Sequence, residues 1–122
     1  MTKKTRIVVA DDDPSIRQTL TDILTEKGFT ATSAKDGYEL LTGLKERIPD
    51  IIILDLMMPQ KNGIEIISTI KSLYPKTKII IYTAFKKYED STYTRKADKF
   101  LLKENGPQPL LLSIQELTRN LK

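Results

Sequence analysis

Residues 51–63 read Ile51-Ile52-Ile53-Leu54-Asp55-Leu56-Met57-Met58-Pro59-Gln60-Lys61-Asn62-Gly63. The first four side chains are apolar and three of them are β-branched. That is the length of a strand, and unbroken apolarity suits a strand covered on both faces. A helical pattern follows from about Gly63, with Ile66, Ile67, Ile70 and Leu73 on one side and Pro75 beyond its end. A doubly covered strand feeding a helix is the repeating unit of a parallel α/β sheet. Asp55 falls where the strand stops.

The same alternation runs through the rest of the chain. Further strands are predicted at Arg6–Ala10, Phe29–Ser33, Ile79–Tyr82 and Lys99–Leu102. In the first helix, Asp13 can serve as cap, Pro14 suits the first position and Gly28 supplies the stop, with Ile16, Leu20, Ile23 and Leu24 as the apolar stripe. The second, from about Asp36, places Leu40, Leu41, Leu44 and Ile48 on one side and ends before Pro49. The last begins near Pro109 and carries Leu110, Leu111, Ile114, Leu117 and Leu121. The fourth helical segment, Lys87–Lys96, is poor in strong helix formers and shows no clear stripe, so a short or frayed helix is expected there. The pattern predicts one (βα)5 α/β domain over residues 1–122, with helices on both faces of a parallel sheet.

Composition narrows the functional classes. The 122 residues, 39% hydrophobic and 30% charged, fit one globular domain with a real core. No apolar stretch approaches the roughly 20 residues that cross a bilayer, and the N-terminus lacks the long apolar region of a signal peptide. No membrane association is expected, and cytoplasm is the default compartment. Cysteine and histidine are absent, which removes disulfides and makes zinc or copper improbable. The net charge of +4 is concentrated between Tyr74 and Lys103. Without a helix-turn-helix, zinc-finger or arginine-rich signature, that reads as a solvated lysine-rich surface, and no direct nucleic-acid binding is expected.

In an open α/β sheet, ligands bind at the carboxyl ends of the strands. Here those ends carry Asp11-Asp12-Asp13, Asp55, Thr83 and Lys103. Singly each has an ordinary reading: Asp13 as a helix cap, Asp11 and Asp12 as loop acids, Asp55 as a turn residue, Thr83 as β-propensity, Lys103 as a solvated lysine. Together they converge. Crowded carboxylates repel unless a cation sits among them, and oxygen-only ligands beside a phosphate suit Mg2+. The turn after strand one has no glycine and three negative charges, which would repel a bare pyrophosphate and argues against a nucleotide-binding loop.

These residues resemble the receiver domain of two-component response regulators. The likeness runs from IVVADDDPSIR through ILDLMMPQKNG and IIIYTA to KFLLK. It implies a doubly wound, flavodoxin-like sheet of order 2-1-3-4-5 and a phosphoacceptor role. By the resemblance, Asp55 accepts a phosphoryl group from a histidine kinase, a phosphotransfer protein or a small acyl phosphate. Asp12, with Asp11 through water, would hold Mg2+ together with Asp55 and the Met57 main-chain carbonyl. Lys103 would pair with the phosphoryl group and Thr83 would donate a hydrogen bond to it. Phe100 matches an aromatic position that swings inward as Thr83 moves, and Met57 and Phe85 match positions that govern access of water. Output to a partner or effector domain would pass through the face of the fourth helix, fifth strand and fifth helix. That face departs from the family pattern, with Glu104 in place of the proline that usually follows the lysine, and Arg95-Lys96-Ala97 in place of small residues.

Two other readings use the same residues. A pseudo-receiver would keep the fold as a binding module without phosphate, which the full set of acids, threonine and lysine argues against. A small haloacid dehalogenase-type phosphatase also uses an aspartate nucleophile and Mg2+, and Asp11-x-Asp13 fits its opening motif superficially. The chain carries no cap domain and no late acid pair for that chemistry. A receiver should sustain no turnover of a generic phosphate ester, and beyond self-phosphorylation and slow self-dephosphorylation no enzymatic activity is expected.

Overall fold

Strand and helix alternate through most of the residues that the computed structural model describes, which are 4–58, 63–88 and 94–119. In chain order they are β1 (Arg6–Ala10), α1 (Pro14–Glu26), β2 (Thr30–Ala34), α2 (Gly37–Glu46), β3 (Ile51–Leu54), α3 (Gly63–Leu73), β4 (Lys78–Thr83), β5 (Lys99–Leu102) and α4 (Pro107–Arg119). All strand pairings are parallel and the order is β2-β1-β3-β4-β5, the doubly wound arrangement expected. None of the described helices is long and apolar enough to cross a membrane.

Alternation along each strand divides the core in two. Ala10, Ile52, Leu54, Ile79 and Ile81 point to one face and pack with Leu40 and Leu44 of α2 and Ile66, Ile67 and Ile70 of α3. Ile7, Val9, Ile51, Ile53, Ile80 and Tyr82 point to the other and pack with Leu20 and Leu24 of α1 and Leu110, Ile114 and Leu117 of α4. Each fully buried isoleucine contributes about 1.5–3 kcal/mol of transfer free energy. The central strands β3 and β4 are therefore the rigid floor on which the site stands.

Where the structure departs from the predicted elements, the cause is local. β2 begins at Thr30 because the Phe29 N–H is spent on Leu24 O, closing the turn in which Gly28 takes φ 97°. Ile48 is not on the α2 stripe: the helix ends at Glu46, Arg47 is extended (φ −155°, ψ 119°), and Ile48 is 58% exposed. Leu73, in the last turn of α3, is 63% exposed. α4 starts at Pro107, two residues before the expected point; Leu121 lies outside the described residues. Of the fourth helical segment, the described part is a 3-10 turn at Lys86–Tyr88 and a turn over residues 94–96.

The edge strand β5 has one strand neighbour and is pinned at its start. Asp98 Oδ2 accepts from Ile79 N and from Lys71 Nζ, both at 2.8 Å, while Asp98 N donates to Ile79 O at 2.8 Å. This fixes β5 against β4, and so fixes where its far end, Lys103, is delivered.

Candidate functional site

The sheet register places the acids before any side-chain interaction is considered. Ala10 pairs with Leu54, so the next residues, Asp11 and Asp55, emerge side by side. The ladder continues one step beyond the strands: Asp11 N donates to Ala34 O at 3.1 Å and Asp55 N to Ala10 O at 2.9 Å. Both acids are held by main chain at the carboxyl end of the central strands, and they are only 2% and 5% exposed. Asp12 is exposed above them. Asp13 turns away as the cap of α1, its Oδ1 accepting from Ser15 N at 2.8 Å.

Two buried carboxylates at this distance need a counter-charge. Lys103 provides it from the end of β5, with Nζ 2.7 Å from Asp11 Oδ2 and 3.0 Å from Asp55 Oδ2. The titration behaviour follows. Burial pushes the Asp11 carboxyl above its ordinary value, opposed by hydrogen bonds from Lys103 and from Asp13 N. Burial by itself would lower the Lys103 ammonium, but the hydrogen bonds it donates to Asp11 and Asp55 outweigh that and hold the group above the usual lysine value. Among the described residues, Asp11, Asp12 and Asp55 each offer an oxygen within 4.8 Å of the others. Three carboxylates against one ammonium leave a surplus of negative charge. An all-oxygen donor set with that surplus fits a hard divalent cation.

The remaining expected residues surround this centre. Asp55 Oδ1 accepts from Met57 N at 3.3 Å, so it is the Met57 amide that touches the acid in this state, and the Met57 side chain lies exposed. Thr83 is fully buried at the end of β4, outside the Lys103 bridge, its Oγ1 accepting from Phe85 N at 3.4 Å. Phe85 is exposed, and Phe100 is half-buried against the α2–α3 face of the sheet. After Lys103 the chain makes a 3-10 turn, Lys103–Asn105, and leaves through Gly106 at φ 75°. No peptide bond among the described residues is cis, in keeping with Glu104 standing where a proline would otherwise be.

Two contributors were not assigned from the sequence. Gly63 N donates to Leu56 O at 3.1 Å, and a Cβ on Gly63 would lie 2.7 Å from Leu56 Cα and 3.1 Å from Asp55 O. The start of α3 thus rests directly on the backbone that carries Asp55. Arg17 Nη1 donates to Asp11 O at 2.8 Å. The signal for Arg17 was its spacing, one helical turn after the Asp13 cap.

Comparison with known proteins points to one family. A family model described as the response regulator receiver domain matches residues 7–115. The DNA-binding response regulator MtrA of Mycolicibacterium smegmatis is 34% identical over 98% of this chain and 53% of its own length. The chain thus spans about half the length of the curated relatives it matches. The response regulator TrrA of Thermotoga maritima, crystallised in complex with Mg2+-BeF, is 32% identical, with a TM-score of 0.88 over 93% of this chain and 98% of that one. The same protein in complex with the histidine kinase ThkA gives a TM-score of 0.85, covering 93% and 97%.

Proposed function

This chain belongs to the response regulator receiver family, and we propose that Asp55 is its phosphoacceptor, in a site completed by Mg2+. The observation that carries the reading is the Lys103 ammonium 3.0 Å from Asp55 Oδ2, with the oxygens of Asp11 and Asp12 beside it. Asp11, Asp12, Asp55 and the Met57 carbonyl would hold the metal. When bound, Mg2+ neutralises the oxygens of the transferring phosphoryl group.

The protein's own groups account for the rest. An Asp55 oxygen attacks phosphorus in line, and the bond from phosphorus to the imidazole nitrogen of a kinase's phosphohistidine breaks with its electron pair. Imidazole leaves and Asp55 becomes an acyl phosphate. Lys103, which bridges two carboxylates at rest, re-aims at the new phosphoryl oxygens. Thr83, one strand over, donates its hydroxyl to them. The added dianion then biases the position of Thr83 and, through it, Phe100. TrrA supplies the precedents for Mg2+ and for a histidine kinase as partner.

The domain is a signalling module, and its self-phosphorylation and slow self-dephosphorylation belong to this proposal. The dehalogenase-type alternative loses its second acid, because Asp13 is spent as a helix cap. We place the output surface on β5, α4 and the segment between β4 and β5, the listener being another protein or an effector domain. Residues 1–122 act as one receiver unit, in the cytoplasm. Incubation with acetyl phosphate and Mg2+, read by intact mass, tests the assignment of Asp55.

A further inference from the structure

Asp11 is fixed on four sides. Its N–H donates to Ala34 O at 3.1 Å, its Oδ1 accepts from Asp13 N at 2.9 Å, and its Oδ2 accepts from Lys103 at 2.7 Å. Its carbonyl oxygen accepts from Arg17 Nη1 at 2.8 Å. The first three anchors orient Asp11 itself. The fourth acts on the next residue, because the Asp11 carbonyl belongs to the same rigid peptide plane as the Asp12 N–H. Tilting that plane swings the Cα of Asp12 and moves its carboxylate relative to those of Asp11 and Asp55.

We propose that Arg17 is a positioning residue that sets the Asp11–Asp12 peptide plane and thereby the affinity of the acidic site for Mg2+. The inference rests on the receiver reading of the site. Three features of Arg17 support it. Its backbone is locked within α1, with Arg17 N donating to Asp13 O at 3.1 Å and Arg17 O accepting from Thr21 Oγ1 at 2.8 Å. The guanidinium therefore reaches back from a fixed base. Its hydrogen bond is charge-assisted and about twice as strong as a neutral one. The guanidinium binds a main-chain oxygen and no acid of the metal set, so it orients the donors without consuming one.

The test is Mg2+ titration calorimetry on the full chain, for wild type, Arg17→Met and Arg17→Lys, with phosphorylation by acetyl phosphate measured at saturating Mg2+. Removing a group that orients metal ligands typically weakens binding about 10–100-fold, and Arg17→Met is expected near the lower end. Arg17→Lys keeps a cationic donor and recovers most of the affinity. The rate at saturating Mg2+ falls by less than the affinity does, a split that a general loss of folding would not produce. If Arg17→Met does not fold, Arg17→Gln against Arg17→Lys makes the same comparison. Equal Mg2+ affinity in wild type and Arg17→Met, with wild type accepting phosphoryl, overturns the role of Arg17 alone. Wild type that binds Mg2+ but takes no phosphoryl overturns the phosphoacceptor reading and leaves the Arg17 relation standing. Wild type that binds no Mg2+ overturns both.

Discussion

Lys103 Nζ stands 3.0 Å from Asp55 Oδ2 although β4 separates the strands that carry the two residues. The side chain reaches over the end of β4, where Thr83 pairs with Leu102 and the next residue, level with Lys103, is Ala84. A small residue there leaves the path open. The ammonium thus neutralises both resting acids and is in direct contact with the proposed phosphoacceptor.

Lys103→Met removes that charge and leaves Asp11 and Asp55 facing each other. The metal-free variant is expected to lose roughly 1–3 kcal/mol, the cost of stranding buried acceptors. Mg2+ binds the folded state and offsets the repulsion, so it raises Tm more in the variant than in wild type. Thermal unfolding with and without Mg2+ measures this, and equal Mg2+-induced shifts would contradict it.

Asp11 gives a pH dependence with a definite sign. Its folded-state value lies above the reference of 3.8, because burial disfavours the carboxylate. Stability linked to this group is therefore fully present below about that pH and is lost as pH rises through the folded value. The cost to the metal-free protein therefore grows with pH above that reference. Asp11→Asn is expected to raise Tm at neutral pH without Mg2+, with the gain shrinking as the pH is lowered towards about 4. A gain that stays constant or widens on acidification would count against this.

Gly63→Ala tests the contact beneath Asp55. The new Cβ would meet Leu56 Cα at 2.7 Å and Leu56 O at 2.9 Å, both main-chain atoms that cannot rotate away. The backbone must shift, at about 1–3 kcal/mol, and Asp55 shifts with it. Urea unfolding should show the loss, and acetyl phosphate should modify the variant more slowly than wild type. Wild-type values in both assays would contradict a role for this contact in holding Asp55.

Met57 and Phe85 stand exposed at the rim of the site with bulky apolar side chains. By hindering the approach of hydrolytic water, they should give a long-lived phospho-form, decaying over minutes or longer after removal of the donor. Decay within seconds, followed by mass spectrometry, would assign them no such role.

Most of this architecture was readable because continuous β-branched runs have few alternatives to buried parallel strands. The acids at the ends of β1 and β3 were readable as neighbours once the sheet was inferred. Ile48 and Leu73 were misplaced because helical periodicity does not report where a helix leaves the sheet: Ile48 lies past the end of α2 and Leu73 in the final turn of α3. Phe29 was misplaced because its N–H closes a helix cap. Arg17 escaped notice for a related reason. Its partner is a main-chain oxygen, and a sequence names side chains while saying little about which carbonyl they meet.

The most direct test of the account is the intact mass of wild type and Asp55→Asn after incubation with acetyl phosphate, with and without Mg2+. The expected result is a single added phosphoryl group on the wild type, dependent on Mg2+ and missing from the variant. A folded wild type that gains nothing, or an Asp55→Asn protein that still gains one, would contradict the assignment of Asp55.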